Sequence, residues 1–229
     1  MTAARSYARA MRRTLVPHPD PHWFGQIEAV LFDFGGVLID SPVEAFARYE
    51  LAHGLPEGFI RQVNATNHLD NAWARFERSE LTFDQFCDQF AAETEAAGAR
   101  VDARAVFDLL TGELRASMVE ALRRLRPYFW TGLLTNNFVV PVAGPGHQEV
   151  ASLFDVVVAS ADLGVRKPEA RFYELACRQL GVEPSRAVFL DDLGVNLSPA
   201  RRMGMTTIKV VDPRAAIDEL AIVVGLPLA

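Results

Sequence analysis

Only two of the 229 residues are cysteine, and only two of the 23 basic residues, Lys167 and Lys209, are lysine. Cys87 and Cys177 lie far apart in stretches of helical periodicity. That spacing excludes a disulfide scaffold and a cysteine metal knuckle, and both read as buried thiols of a reducing, cytoplasmic compartment. The shortage of lysine reads as a coding bias, with arginine carrying the positive charge. No apolar run approaches the roughly 18 to 20 residues of a membrane span, so no membrane partner is expected. A basic excess is missing too. With 29 acidic residues against 23 basic ones the formal net charge is −6, which argues against a nucleic-acid surface. Apolar bulk is plentiful: half of the residues are hydrophobic and 15 are Phe, enough for the core of one domain with a large insertion, or of two small ones.

The rest of the chain is organised around Val30-Leu31-Phe32-Asp33-Phe34-Gly35-Gly36-Val37-Leu38-Ile39-Asp40. Ala29 to Phe32 shows no polar alternation, as a strand buried on both faces of a parallel sheet should. Asp33 then falls at its carboxyl end, where open α/β sheets place their ligands. The two glycines that follow permit positive φ and close approach of a ligand to the backbone. Taken alone, the same residues also describe a strand followed by an ordinary turn.

Residues 1–23 form an N-terminal extension. Arg5, Arg9, Arg12 and Arg13 sit among small residues, and Pro17-His18-Pro19-Asp20-Pro21-His22 breaks any helix. The composition is that of an organelle transit peptide without the apolar centre of a secretory signal, but an arm packing on a neighbouring surface, or a disordered start, is the preferred reading. His18 and His22 are conceivable metal ligands but fit an inert arm better. Residues 41–116 carry helical spacing and no strand signal, which predicts an all-helical insert. Helices are expected from about Ala45 to Ala52 and Glu57 to Ala65. Asn71 to Arg78 follows, and then a helix opened by Thr82-Phe83-Asp84-Gln85 in a capping-box pattern. Phe83, Phe86, Cys87 and Phe90 form the apolar face of that last helix, and Asn67, His68 and Asp70 form a polar cluster that reads as a loop.

Residues 24–40 and 117–229 alternate strands with helices. Strands are expected over Trp130 to Leu134, Val156 to Ala159, Ala187 to Leu190 and Thr206 to Val211. Pro168 suits the first position of the helix closed by Gly181, and Asp212-Pro213 opens a last helix stopped by Gly225. The fold class is therefore α/β, a doubly wound parallel sheet with an all-helical insertion. Asp33, Thr135 and the Asp191-Asp192 pair each end an apolar strand, and Lys167 follows one by a short loop, so one sheet edge collects them all. Three carboxylates repel one another unless a cation sits among them, and an all-oxygen set favours Mg²⁺. A hydroxyl, the backbone N–H after Thr135 and an ammonium are the groups that hold phosphoryl oxygens.

Four segments resemble the haloacid-dehalogenase superfamily: Phe32-Asp33-Phe34-Gly35-Gly36-Val37-Leu38, Leu133-Leu134-Thr135-Asn136-Asn137, Arg166-Lys167-Pro168-Glu169 and Phe189-Leu190-Asp191-Asp192. The run from Leu190 to Met205, with Glu80-Leu81-Thr82 in the insert, is most similar to the amino-terminal phosphatase domain of soluble epoxide hydrolases. Within these residues no separate epoxide-hydrolase domain is expected, so the resemblance does not imply epoxide opening. The resemblance spans roughly Glu28 to Leu220 and implies a Rossmann-like three-layer core with the insert as a substrate-choosing cap. It implies Mg²⁺-dependent hydrolysis of a small-molecule phosphate ester through an aspartyl-phosphate. Asp33 would be nucleophile and Mg²⁺ ligand, Thr135 and Asn136 would bind the phosphoryl group, and Lys167 would steady it. Asp192 would ligate Mg²⁺, Asp191 would order its waters, and Asn196 would support them. Oligomeric state is left open, a homodimer among the options.

The chain departs from the family at one place. The pattern carries a second Asp two residues after the nucleophile, a general acid and then base, where this chain has Gly35. Only the Gly35 carbonyl could still reach Mg²⁺. The alternatives are a metal-independent dehalogenase, against which Asp191-Asp192 argues, and a non-catalytic phosphate-ligand binding protein, against which the intact Asp33 argues.

Overall fold

The structure is a computed structural model and describes residues 14–20, 25–137 and 146–228. Five parallel strands form one sheet in the order β3-β2-β1-β4-β5: β1 (Ala29–Phe32), β2 (Trp130–Thr135), β3 (Val156–Ala159), β4 (Ala187–Asp191) and β5 (Thr206–Lys209). β1 is central, with Phe32 in register with Leu133 on one side and Leu190 on the other. Its missing alternation follows from burial on both faces. Val30 and Phe32 belong to an apolar layer with α6 (Ala116–Leu125) and α11 (Pro213–Val224). Ala29 and Leu31 face α9 (Ala170–Leu180) and α10 (Gly194–Arg202). The result is the three-layer Rossmann-like sandwich.

Between β1 and β2 lie α1 (Val43–Ala52), α2 (Phe59–Ala65), α3 (Ala72–Glu77), α4 (Phe83–Ala96) and α5 (Ala103–Asp108). They enclose an apolar cluster of their own, in which Phe76 stacks on Phe86 with ring centroids 4.7 Å apart and Trp73 meets Phe86 edge-on at 4.7 Å. The Thr82 box is complete: Thr82 accepts from the Gln85 N–H and Gln85 accepts from that of Thr82. The two chain crossings run side by side, with an Ile39–Leu114 bridge and a bond from the Asp40 N–H to the Glu113 carbonyl.

Several boundaries differ from expectation. β2 reaches Thr135 and β4 reaches Asp191, so both residues are ladder members. β5 ends at Lys209, and Val211 is exposed. Pro168 does not open α9. The Lys167–Pro168 peptide is cis, Arg166 to Glu169 closes a turn, and Glu169 is the N-cap residue. Two short helices had no sequence signal, α7 (His147–Ala151) and α8 (Ser160–Leu163), because each is under two turns long. His18 is not inert: its ring lies within 3.0 Å of the Val224 carbonyl, and the Val16 N–H donates to the Pro127 carbonyl. His22 and residues 1–13 lie outside the described residues. Asn67, His68 and Asp70 sit in a turn, as read. Among the described residues no helix is long and apolar enough to cross a membrane.

Candidate active site

β1, β2 and β4 are neighbours in register, so Asp33, Thr135, Asp191 and Asp192 reach the same carboxyl edge. Asp33, Asp191 and Asp192 each place a carboxylate oxygen within 4.8 Å of the others. The Lys167 side chain, 1 % exposed, puts Nζ 2.7 Å from Asp33 Oδ1 and 2.8 Å from Asp191 Oδ2. Asp33 Oδ1 also accepts the Phe34 N–H at 2.6 Å, which fixes the rotamer. Asp191 is fully buried and fully used, taking the Leu193 N–H at 2.8 Å and the Asn196 amide at 3.1 Å besides Lys167. Asp192 receives the Ser41 hydroxyl, at 3.4 Å.

Two glycines follow Asp33, and they do different work. Gly36 has φ +71°, and a Cβ there would lie 2.2 Å from Asp192 Oδ2. Gly36 therefore lets the β1 loop pass against the Asp192 carboxylate. Gly35 has no such demand, since a Cβ there would meet nothing within 4 Å.

Charge balance explains the protonation behaviour. Three carboxylates against one ammonium leave two net negative charges in a buried space. Burial pushes the Asp33 carboxyl well above the usual carboxylate range, Lys167 opposes this, and Asp191 and Asp192 add to it. Burial, then Asp191, pushes Asp192 up to about 6. Burial works against the Lys167 ammonium, but Asp191 and Asp33 outweigh it and its pKa is raised. Every shift favours holding positive charge. The excess equals the charge of one divalent cation, and the donors are all hard oxygens, so the residues fit Mg²⁺.

Thr135 ends β2 beside β1, but the Asn136 side chain has a task the sequence did not disclose. Its amide donates to the Lys167 carbonyl at 3.0 Å and its Oδ1 accepts the Lys167 N–H at 2.9 Å. Asn136 can thus offer a ligand its backbone N–H while its side chain carries the lysine loop. Sequence reasoning passed over Ser41, and also Glu77 of α3, whose carboxylate pairs with Arg166. Arg166 adjoins the lysine and could have been suspected; Glu77 sits in helical periodicity and gave no sign.

A parallel sheet between two helical layers, with carboxylates and one lysine at its carboxyl edge and a helical insert after the first strand, is the arrangement of a Rossmann-like hydrolase. The model of the haloacid dehalogenase-like hydrolases matches residues 27–204, and the chain belongs to that family. It is 36% identical over 206 residues to acyl-CoA dehydrogenase family member 10 of Mus musculus, covering 87% of this chain and 19% of that protein. It is 32% identical over 219 residues to bifunctional epoxide hydrolase 2 of Sus scrofa, covering 88% of this chain and 40% of that protein. The chain thus spans less than half the length of these two relatives. A sesquiterpene phosphatase of Aspergillus oryzae is 31% identical, over 86% of this chain and 97% of its own. Among solved structures, a haloacid-dehalogenase-family enzyme of Bacteroides thetaiotaomicron in complex with magnesium and inorganic phosphate superposes with a TM-score of 0.57 at 22% identity. That match covers 80% of this chain and 93% of that one, and it is a likeness of fold.

Proposed function

We propose that the chain is a Mg²⁺-dependent phosphatase that hydrolyses a small phosphate monoester through a phosphorylated Asp33. The observation that carries this reading is the Asp33–Lys167–Asp191 chain of contacts, with Asp192 alongside, at the edge where β1, β2 and β4 end together. Asp33 Oδ1 is held by the Phe34 N–H and Lys167, so Oδ2 is the oxygen to attack phosphorus. The Lys167 ammonium neutralises charge that builds on the phosphoryl oxygens, and the Thr135 hydroxyl with the Asn136 N–H would hold them in place. Asp33, Asp192 and the Gly35 carbonyl would hold Mg²⁺, with Asp191 ordering its shell and Asn196 fixing Asp191. Bound there, the ion would supply charge neutralisation and alignment of the phosphoryl group. Residues 41–116 would form the cap over this edge, 24–40 and 117–229 the core.

Relatives named as phosphatases support the reaction class: the Aspergillus protein above, and a validoxylamine A 7'-phosphate phosphatase of Streptomyces hygroscopicus at 26% identity over 78% of this chain. The test is phosphate release from a panel of aryl, acyl, sugar and alkyl phosphates, with Mg²⁺ and with excess chelator. Release that requires Mg²⁺ is expected. Tight binding of phosphate esters without release from any of them would replace this reading with a binding protein.

A further inference from the structure

Lys167 stands on a loop, so its position depends on what holds the loop. Its N–H and carbonyl are both bound to the Asn136 side chain. The preceding residue, Arg166, reaches across 89 positions of sequence to Glu77 at the end of α3. Arg166 is thus tied to the insert while Asn136, from the end of β2, holds the lysine backbone itself. One carboxylate of the insert therefore holds the residue next to the lysine.

This ion pair differs from most others. The Glu77 and Arg166 side chains are 12 % and 14 % exposed. Apart from the Lys167 contacts, every other ion pair among the described residues has a partner at least 43 % exposed. An exposed pair is worth little, whereas a buried pair fixes geometry at the expense of desolvation. Contacts around it share the task. Arg166 Nη1 donates to the His68 carbonyl at 3.0 Å, and the Ser79 hydroxyl donates to the Ala161 carbonyl of α8 at 3.0 Å. Ser79 is a non-glycine residue at φ +62°, a conformation that the surrounding contacts must hold.

We propose that Glu77 is a positioning residue, which through Arg166 holds the Lys167 loop so that seating the helical insert and placing the ammonium against Asp33 are one event. The inference rests on the role proposed above for Lys167. It assigns the insert a part in the chemistry besides choosing the substrate.

The experiment compares wild type with Glu77→Gln, Arg166→Gln and the double variant, assayed with p-nitrophenyl phosphate and Mg²⁺, together with amide hydrogen exchange read at Lys167 and along β4. A misplaced lysine weakens transition-state contacts more than ground-state ones. The expected result is a kcat lower by roughly tenfold to a hundredfold with KM within about threefold. The double variant should be no worse than the worse single one, because the two residues act through each other. Exchange at the Lys167 amide should rise while β4 stays protected, and Glu77→Asp should restore part of kcat. An unchanged kcat, a rise in KM alone, or unchanged exchange at Lys167 overturns the proposal. If wild type releases no phosphate, the phosphatase reading fails and the exchange result alone decides whether Glu77 holds the loop. If Glu77→Gln does not fold, Glu77→Asp and Arg166→Lys carry the same measurements.

Discussion

In the helical insert, the buried polar side chains bind backbone. Glu50 accepts the N–H groups of Gly58 and Ile60 at 2.8 and 2.9 Å, Asn71 caps α3 through the Ala74 N–H, and Thr94 accepts from Val101 while donating to the Ala91 carbonyl. At the sheet edge they bind one another besides backbone: Lys167 lies between Asp33 and Asp191, with the Asp192 carboxylate alongside. The first arrangement satisfies local backbone and specifies a fold. The second leaves charge uncompensated inside the protein, which costs stability and is retained where it serves chemistry. Substitutions in the two regions should therefore register on different instruments, stability in one and turnover in the other.

The sharpest separation comes from Asp33→Asn. Turnover should be lost, because an amide is no nucleophile toward phosphorus. The thermal midpoint should stay level or rise, since burial and the neighbouring carboxylates already disfavour the charged Asp33. Phosphate release together with a melting curve checks both halves. Activity near wild type would remove Asp33 from the mechanism, and a collapse of folding would move it into the structural class.

Next in size is the exchange of leaving-group preference at Gly35. Without an acid there, departure depends on the leaving group's own basicity, and general acid catalysis contributes on the order of 10² to 10⁴ in rate. Aryl, acyl and anomeric phosphates should be much preferred over alkyl phosphates. Gly35→Asp should accelerate alkyl substrates far more than aryl ones, because the position has open space for a side chain. Gly36→Ala is the control. Its Cβ would collide with Asp192 at positive φ, so it should impair every substrate alike. The readout is the ratio of kcat/KM for an alkyl against an aryl phosphate. Equal treatment by wild type would mean that another group already supplies the proton.

What could be read in advance divides along the same line. β1, the strand ends and the carboxylate cluster were legible because a buried parallel strand has a continuous apolar run and because Asp33, Thr135 and Asp191-Asp192 each end one. The Thr82-x-x-Gln85 box was legible since its signal is local. The turn at Lys167 was misread: Pro168 is common at the first position of a helix, but here Glu169 and Arg166 close a turn before α9 begins. The Glu77–Arg166 pair and the dual use of Asn136 were invisible, because they depend on how the insert sits on the core, and helical periodicity fixes only which face is apolar. Gly35 and Gly36 look equivalent in sequence and are not. The positive φ of Gly36 and the Asp192 carboxylate beside it separate them.

The pH dependence of metal binding gives a smaller and more graded effect. Asp192 is raised from an ordinary 3.8 to about 6, by burial first and then by Asp191. A carboxyl with a folded pKa above its unfolded one keeps a proton in the fold that the unfolded chain releases. Its contribution therefore favours the metal-free fold more as pH falls from about 6 toward about 4, the reverse of a salt-bridged aspartate. Mg²⁺ must displace that proton, and any that Asp33 holds, so its apparent affinity should fall steadily as pH drops through about 6. Calorimetric titration with MgCl₂ across that range measures it. Affinity independent of pH would mean that Asp192 does not ligate the ion.

The smallest expected effect tests the other side of the comparison. Thr82 is the N-cap of α4, and its hydroxyl accepts the Gln85 N–H at 3.2 Å, while the Gln85 side chain accepts the Thr82 N–H at 2.9 Å. Both bonds lie at the surface, away from the Asp33 cluster, and they satisfy two donors that the first turn would otherwise leave to water. Thr82→Ala should cost about 1 kcal/mol of stability. In a chain of this size that is a shift of roughly 2 to 4 °C in Tm, and kcat should stay within about twofold of wild type. Urea denaturation and steady-state kinetics on one preparation measure the two quantities together. A loss of kcat larger than the loss of folded protein would show that strain in α4 reaches the Lys167 loop through the insert. The division between a structural insert and a chemical sheet edge would then extend only as far as α3, where Glu77 already crosses it.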